Sequence, residues 1–335
     1  MTMPSDLESV TVLVPGKLHQ HSVDRIGRTF RLVEIERIDP ALITDEMKAS
    51  VRGVAASPAI GGGMIGPEFM AALPNAEIIA NFGVGYDGVD ARWAGEHGIV
   101  VTNTPDVLTE EVADTAVGLL IATIRELPKA EAWLREGRWR GDGNYRLSPL
   151  TLRGRSIGIF GMGRIGLAIA RRLEAFGLPI AYHNRRPVEG LGYAYHRTLK
   201  DLAAAVDTLI SVVPGTPSTA RAVNAEILAA LGPTGVFVNI GRGSTVDEPA
   251  LAAALADGTI AAAGLDVFAD EPNVPEALLE APNTVLLPHI GSASEHTRRA
   301  MADLVVDNLI SWFCEGRALT PVPETAKIRP ARHSG

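Results

Sequence analysis

Three segments late in the chain each carry one reactive residue type where a predicted strand ends. They are Asn239-Ile240-Gly241-Arg242-Gly243, then Gly264-Leu265-Asp266-Val267-Phe268 running on to Asp270-Glu271-Pro272, and Pro288-His289-Ile290-Gly291-Ser292-Ala293. Arginine, glutamate and histidine are the types that reduction of a 2-oxo acid requires. A planar guanidinium can hold a carboxylate through two hydrogen bonds and polarise the adjacent carbonyl, each charge-assisted bond contributing roughly 1.5–3 kcal/mol. A histidine delivers a proton as hydride arrives, a general-acid role worth about 10²–10⁴-fold. A nearby carboxylate orients such an imidazole and favours its charged form. Each residue alone also has a bland reading: an arginine satisfying carbonyls, a glutamate capping a turn before proline, a histidine in a core. Taken singly, the two readings stand level.

A fourth segment supplies the other reactant. Gly161-Met162-Gly163-Arg164-Ile165-Gly166 is a GxGxxG between an apolar run at 156–160 and a helical run at 167–176. In that context Gly161 permits the tight turn, Gly163 lets a pyrophosphate approach the backbone, and Gly166 lets helix and strand pack closely. The helix N-terminus then offers N–H donors to the diphosphate. Where an NAD site places an acid about 20 residues on, to accept from the ribose 2′-hydroxyl, the sequence reads Tyr182-His183-Asn184-Arg185-Arg186. Asn184 can donate to a 2′-phosphate, and Arg185 and Arg186 can pair with it. NADP(H) is therefore the expected cofactor, with NAD(H) the alternative; no metal is expected.

The elements that must position these residues alternate along the whole chain. Apolar runs at 10–14, 30–36, 51–56, 76–80 and 99–102, then at 156–160, 180–183, 208–213, 235–240, 262–268 and 284–287, read as strands separated by helical stretches. Such alternation predicts βα units with buried parallel strands. In an open sheet of this kind ligands sit beyond the carboxyl ends of the strands, where the reactive segments fall. Two longer helices are expected, one N-capped by Thr109 and one from about 293 to 313, followed by a proline-rich tail after Ala318 running over the surface.

With these motifs in order, the chain resembles the D-isomer-specific 2-hydroxyacid dehydrogenase family, most closely its glyoxylate/hydroxypyruvate reductase and hydroxyphenylpyruvate reductase branch. The resemblance implies an α/β fold of two Rossmann-like, doubly wound parallel-sheet domains with a cleft between them. Residues 1–104 and 291–335 would form the substrate-binding domain and 105–290 the coenzyme domain. It implies a catalytic triad of Arg242, Glu271 and His289, and a substrate carboxylate held also by the N–H groups of Val84 and Gly85 in Asn81-Phe82-Gly83-Val84-Gly85-Tyr86-Asp87. It places Thr109 and Asp266 near the nicotinamide, the backbone around Ile240 and Gly291 against the cofactor, and Val213, Pro214 and Thr219 beside the adenosine, with Gly215 departing from the family's larger apolar residue. It further implies a homodimer in which the arm around Trp139 crosses to the partner and limits substrate size; an anchor within the dimer core is the competing role for Trp139. The expected activity is NADPH-dependent reduction of a small 2-oxo acid to the D-2-hydroxy acid. The rivals are an NAD-dependent dehydrogenase of other substrate preference and a nucleotide-sensing corepressor on the same fold.

Composition narrows the partners. The 335 residues suit two domains, and 46% hydrophobic against 21% charged residues suits a folded chain with a sizeable core. Thirty-one basic against 39 acidic side chains leave a net charge of −8, which disfavours nucleic acid or an anionic membrane as a general partner. One cysteine, Cys314, allows no intrachain disulfide, and no basic and apolar leader opens the sequence, so a cytoplasmic protein is expected.

Overall fold

Short apolar runs become parallel strands in two separate sheets, with residues 7–58 and 63–330 described by the computed structural model. The chain divides into two compact units, Met1–Leu108 with Ser294–Gly335, and Thr109–Ala293. These crossings lie a few residues beyond the expected ones after 104 and 290.

The first unit holds β1 (Thr11–Pro15), β2 (Arg31–Ile35), β3 (Val51–Ala56), β4 (Ile78–Asn81) and β5 (Val100–Thr102), in spatial order β2-β1-β3-β4-β5. The second holds β6 (Ile157–Phe160), β7 (Ile180–His183), β8 (Ala194–Tyr195), β9 (Thr208–Ser211), β10 (Val236–Asn239), β11 (Ala262–Leu265) and β12 (Thr284–Leu286), ordered β12-β11-β10-β9-β6-β7-β8. Every ladder is parallel. In each sheet the chain starts near the middle, winds to one side and then returns to the other, between β1 and β3 in the first and between β6 and β9 in the second. Those reversals are where an open α/β sheet leaves a crevice at its strands' carboxyl ends. β8, a two-residue strand, carries too short a pattern to be seen in sequence.

Buried strands explain the runs of valine, isoleucine and alanine. Leu13, Val54, Ile79 and Val101 pack with Phe69 and Leu73 in the first unit. In the second, Leu209, Phe237 and Leu265 pack with Leu202, Leu228 and Leu251 from flanking helices.

Both long helices appear. One spans Thr109–Arg125, so Thr109 is its first residue and not the cap before it, with Glu110 and Glu111 in the first turn. It ends at Glu126, in left-handed geometry at φ 52, and a new helix runs Leu127–Arg135. The other spans Glu295–Glu315, capped by the Ser294 hydroxyl accepting from Thr297 N–H.

The tail after Ala318 runs over the surface, with only Val322 and Thr325 buried among its described residues. It covers the open edge of β5: Val322 N–H donates to Val101 O (2.9 Å), and Val101 N–H donates to the Thr325 hydroxyl (3.0 Å). Asn308, buried within the last helix, accepts from Leu319 and Thr320 N–H and ties the tail's start. An exposed strand edge is thereby closed.

Candidate active site

Because all seven strands of the second sheet are parallel, the loops after β6, β7, β9, β10, β11 and β12 emerge along one edge. After β10, Asn239 donates to Arg242 O (2.9 Å) and accepts from Gly241 N–H (3.1 Å), while the Thr245 hydroxyl also donates to Arg242 O (2.6 Å). The backbone that carries the half-buried Arg242 is thus fixed by its own strand end. Gly243 has no room for a side chain: a Cβ there would lie 1.8 Å from the carbonyl carbon of Phe268. This close approach brings the arginine loop against the loop after β11.

That second loop bears Glu271. One carboxylate oxygen accepts from Phe268 N–H (3.0 Å) and the other meets His289 Nδ1 at 2.7 Å. Burial pushes the Glu271 carboxyl up. The hydrogen bonds from His289 and Phe268, with the charges of His289 and Arg242, outweigh burial and hold it below its ordinary value. Arg242 is therefore close enough to act electrostatically on the Glu271–His289 pair. Glu248, buried in the first turn of the next helix, accepts from Ala269 N–H (2.8 Å) and steadies the same loop.

His289 occupies left-handed backbone at φ 53, a costly conformation for a residue with a Cβ. Asp266 holds it there. Its carbonyl accepts from His289 N–H (2.8 Å), and its carboxylate accepts from Ile290 N–H (2.7 Å) and Gly291 N–H (2.8 Å). Asp266 is 1% exposed, and burial raises its pKa against the opposing pull of those two N–H groups. The side chain acts as a backbone anchor. Gly291 O also accepts from the Thr115 hydroxyl (3.2 Å).

The glycine-rich turn follows β6. Gly161 sits at φ 107, and a Cβ at Gly166 would fall 2.2 Å from Gly161 O, so both positions need glycine. The helix Arg164–Glu174 starts here, and Gly163 as its N-cap has no side chain to bond the first turn. The N–H end of such a helix suits a diphosphate. Thr219 closes the loop after β9, its hydroxyl donating to Pro214 O (2.6 Å) and accepting from Thr216 N–H (2.9 Å), while Val213 is buried. At Gly215 a Cβ would meet the Ser244 hydroxyl at 2.8 Å, next to the Arg242 stem.

After β7 the outcome is mixed. Arg185 and Arg186 are exposed, and among the described residues neither is joined in an ion pair. Asn184, expected as a donor to a 2′-phosphate, has both ends of its amide on the Met162 backbone: Oδ1 accepts from Met162 N–H (2.7 Å) and Nδ2 donates to Met162 O (3.2 Å).

Val84 and Gly85 belong to the first unit, after β4. Asn81 Nδ2 donates to Gly83 O (3.2 Å) and Gly85 O (3.0 Å), Asn103 Nδ2 donates to Val84 O (2.8 Å), and Thr104 N–H donates to Gly83 O (2.9 Å). All three carbonyls are engaged, and among the described residues the N–H groups of Val84 and Gly85 donate to nothing. Successive free N–H groups make an anion-binding concavity. Asn103, Glu248 and Thr245 carry no motif that would have marked them in the sequence, because each acts on a backbone group far along the chain or around a turn. Among the described residues, no group of three or more His, Cys, Asp or Glu side chains is placed to hold a metal ion.

Comparison with known proteins agrees with this geometry. Residues 117–291 match the model of the D-isomer specific 2-hydroxyacid dehydrogenase NAD binding domain. The chain belongs to this family. It is 48% identical over 255 residues to hydroxyphenylpyruvate reductase of Plectranthus scutellarioides, covering 76% of this chain and 81% of that protein. It is 41% identical over 317 residues to glyoxylate/hydroxypyruvate reductase A of Arabidopsis thaliana, covering 94% and 100%. Among solved structures, it superposes with a TM-score of 0.93 and 62% identity on an NADPH-dependent glyoxylate/hydroxypyruvate reductase of Sinorhizobium meliloti in complex with NADP and malonate, covering 96% of this chain and 99% of that one. The family's two parallel-sheet α/β domains are those seen here.

Proposed function

We propose that the protein reduces a small 2-oxo acid of the glyoxylate or hydroxypyruvate type to the D-2-hydroxy acid, using NADPH. The observation that carries this reading is the 2.7 Å pair of His289 Nδ1 with Glu271, formed beside Arg242 on the ligand-facing edge of the second sheet. The names of the relatives support the substrate class. The second unit would be the coenzyme domain and the first the substrate-binding domain.

When bound, NADPH supplies a hydride from its nicotinamide C4. The helix N-terminus after Gly163 suits its diphosphate, and Arg185 and Arg186 suit its 2′-phosphate. Thr109 and Asp266 are assigned to the nicotinamide end, the backbone around Ile240 and Gly291 to the cofactor, and Val213, Pro214 and Thr219 to the adenosine. Arg242 binds the substrate carboxylate and polarises the C2 carbonyl; the Val84 and Gly85 N–H groups are assigned to the same carboxylate. Glu271 engages Nδ1 of His289, which leaves Nε2 to hand its proton to the carbonyl oxygen as hydride reaches C2. Glu271 then stabilises the orientation of the imidazole through the step.

Initial rates with NADPH and NADH against glyoxylate, hydroxypyruvate, pyruvate and hydroxyphenylpyruvate test the proposal. Turnover of glyoxylate or hydroxypyruvate with NADPH favoured is expected. Absence of NADPH oxidation with all four acids would sink it.

The same proposal includes a cytoplasmic homodimer. Among the described residues no helix is long and apolar enough to cross a membrane. Leu127, Leu134, Trp139 and Leu147 are 47%, 54%, 60% and 93% exposed within one stretch of chain, apolar side chains that a partner surface could cover. A second copy of the chain is the proposed cover, with Trp139 entering the partner's substrate site. Sedimentation should give twice the mass of the 35.4 kDa chain. Trp139→Ala should shift the preference between glyoxylate and hydroxyphenylpyruvate, and a dimer with unchanged preference would return Trp139 to the role of an interface anchor.

A further inference from the structure

We infer that Asn184 is a positioning residue of the glycine-rich turn, and that discrimination between NADPH and NADH is left to Arg185 and Arg186. The inference rests on the NADPH reading above. In the parallel register of β6 with β7, Phe160 stands opposite His183, so Asn184 emerges opposite Gly161. Gly161 N–H donates to His183 O (3.1 Å), and one residue further on both polar groups of the Met162 backbone are taken by the Asn184 amide. Met162 is 4% exposed. Turning the Asn184 side chain outward to a phosphate would leave a buried N–H and a buried carbonyl without partners.

The strand end is held from the other side as well. The Tyr195 hydroxyl donates to Asn184 O (3.2 Å), and the Tyr182 hydroxyl accepts from Val188 N–H (2.9 Å). Asn184 is therefore a clasp between two fixed strand ends, while the next two residues project into solvent. Only an amide fits. A carboxylate could accept from Met162 N–H but would set a negative oxygen against Met162 O, whereas an amide presents an acceptor and a donor together. The missing acid at this position thus has a cause inside the protein, in addition to any repulsion of a 2′-phosphate.

The two roles separate by which cofactor suffers. If Asn184 shapes the turn that receives the diphosphate, its loss weakens NADPH and NADH alike. Fluorescence titration of the full chain with each cofactor should show Asn184→Ala raising both dissociation constants by about tenfold, with their ratio unchanged within about twofold. The Arg185→Ala/Arg186→Ala double variant should instead weaken NADPH and leave NADH untouched. Asn184→Asp keeps the acceptor half of the clasp, and should weaken NADPH without strengthening NADH. A loss confined to NADPH in Asn184→Ala would make Asn184 a 2′-phosphate ligand and overturn the inference. So would unchanged binding of both cofactors, or a gain for NADH in Asn184→Asp. A wild-type protein that binds both cofactors equally would overturn the NADPH reading instead, and the parallel loss in Asn184→Ala would still stand for the clasp.

Discussion

The loops after β10, β11 and β12 and the loop after β7 leave the same edge of one sheet, yet they are built in opposite ways. Arg242, Glu271 and His289 each sit on backbone fixed by other parts of the unit: Asn239 and Thr245 for the first, Phe268 N–H and Glu248 for the second, Asp266 for the third. His289 is even held in left-handed geometry. Arg185 and Arg186, by contrast, stand exposed with no ion-pair partner among the described residues. The lesson concerns tolerance. Proton transfer needs reacting atoms within hydrogen-bond reach at a set angle, so the side chains are pre-organised. A phosphate with a double charge is captured by any nearby guanidinium, so the arginines need only be free.

The comparison predicts that the fixed set is costly to alter in rate and the free set only in cofactor choice. Arg242→Ala should have the largest effect. Removing two charge-assisted hydrogen bonds to the substrate, up to about 6 kcal/mol, should lower kcat/KM by about 10⁴-fold and raise KM for the 2-oxo acid. Steady-state kinetics at saturating NADPH would show it. A variant with unchanged KM would remove Arg242 from carboxylate binding. His289→Asn comes next, with kcat falling about 10³-fold and a milder change in KM, since it removes proton delivery and not anchoring. Near-normal turnover in that variant would contradict the proton-donor role.

The free set should respond differently. Arg185→Ala/Arg186→Ala is expected to raise KM for NADPH by about 10–100-fold through lost charge-assisted pairing, while kcat with saturating NADPH and all constants for NADH stay close to wild type. A fall in kcat with NADH would mean that this loop is coupled to the reacting end, and the contrast drawn here would fail.

The same contrast explains what could be read from sequence. The strands were legible because a buried parallel strand must be apolar on both faces, and the glycine positions because a turn that tight admits nothing else. Reactive side chains after strand ends were legible as types. What no local pattern reveals is a side chain that bonds to distant backbone. Asn184 looks like a ligand donor because its partner, the Met162 peptide, lies 22 residues away in sequence. Asp266 is marked in sequence only as a neighbour of the nicotinamide, and its hold on Ile290 and Gly291 N–H, 24 and 25 residues on, goes unseen. The tail after Ala318 reads only as surface because Val322 and Thr325 are isolated among prolines and charges, and only the open edge of β5 gives them a place.

Glu271 tests the fixed set from the side of stability, with the smallest expected effect. Its folded pKa lies below its ordinary value of 4.5, so ionised Glu271 favours the folded state. That contribution is fully present above about pH 4.5 and is lost as pH falls through the lowered folded value. Glu271→Gln keeps the shape but has no charge to lose. At pH 7 it should cost about 1 kcal/mol for the weakened pair with His289, or roughly 2–4 °C in Tm. The gap between wild type and variant should then narrow as pH is lowered from 6 toward 3, because only the wild type gives up this component. Asp266 and Glu248, whose burial raises their pKa values, push the stability of both proteins the opposite way; the Glu271 charge adds a smaller part to both shifts, so the gap narrows by less than Glu271 alone would give. Melting curves across that range decide the matter: a gap that is constant or widens on acidification would mean that Glu271 is not held ionised by His289 and Arg242, and the fixed set would lose the member that orients its proton donor.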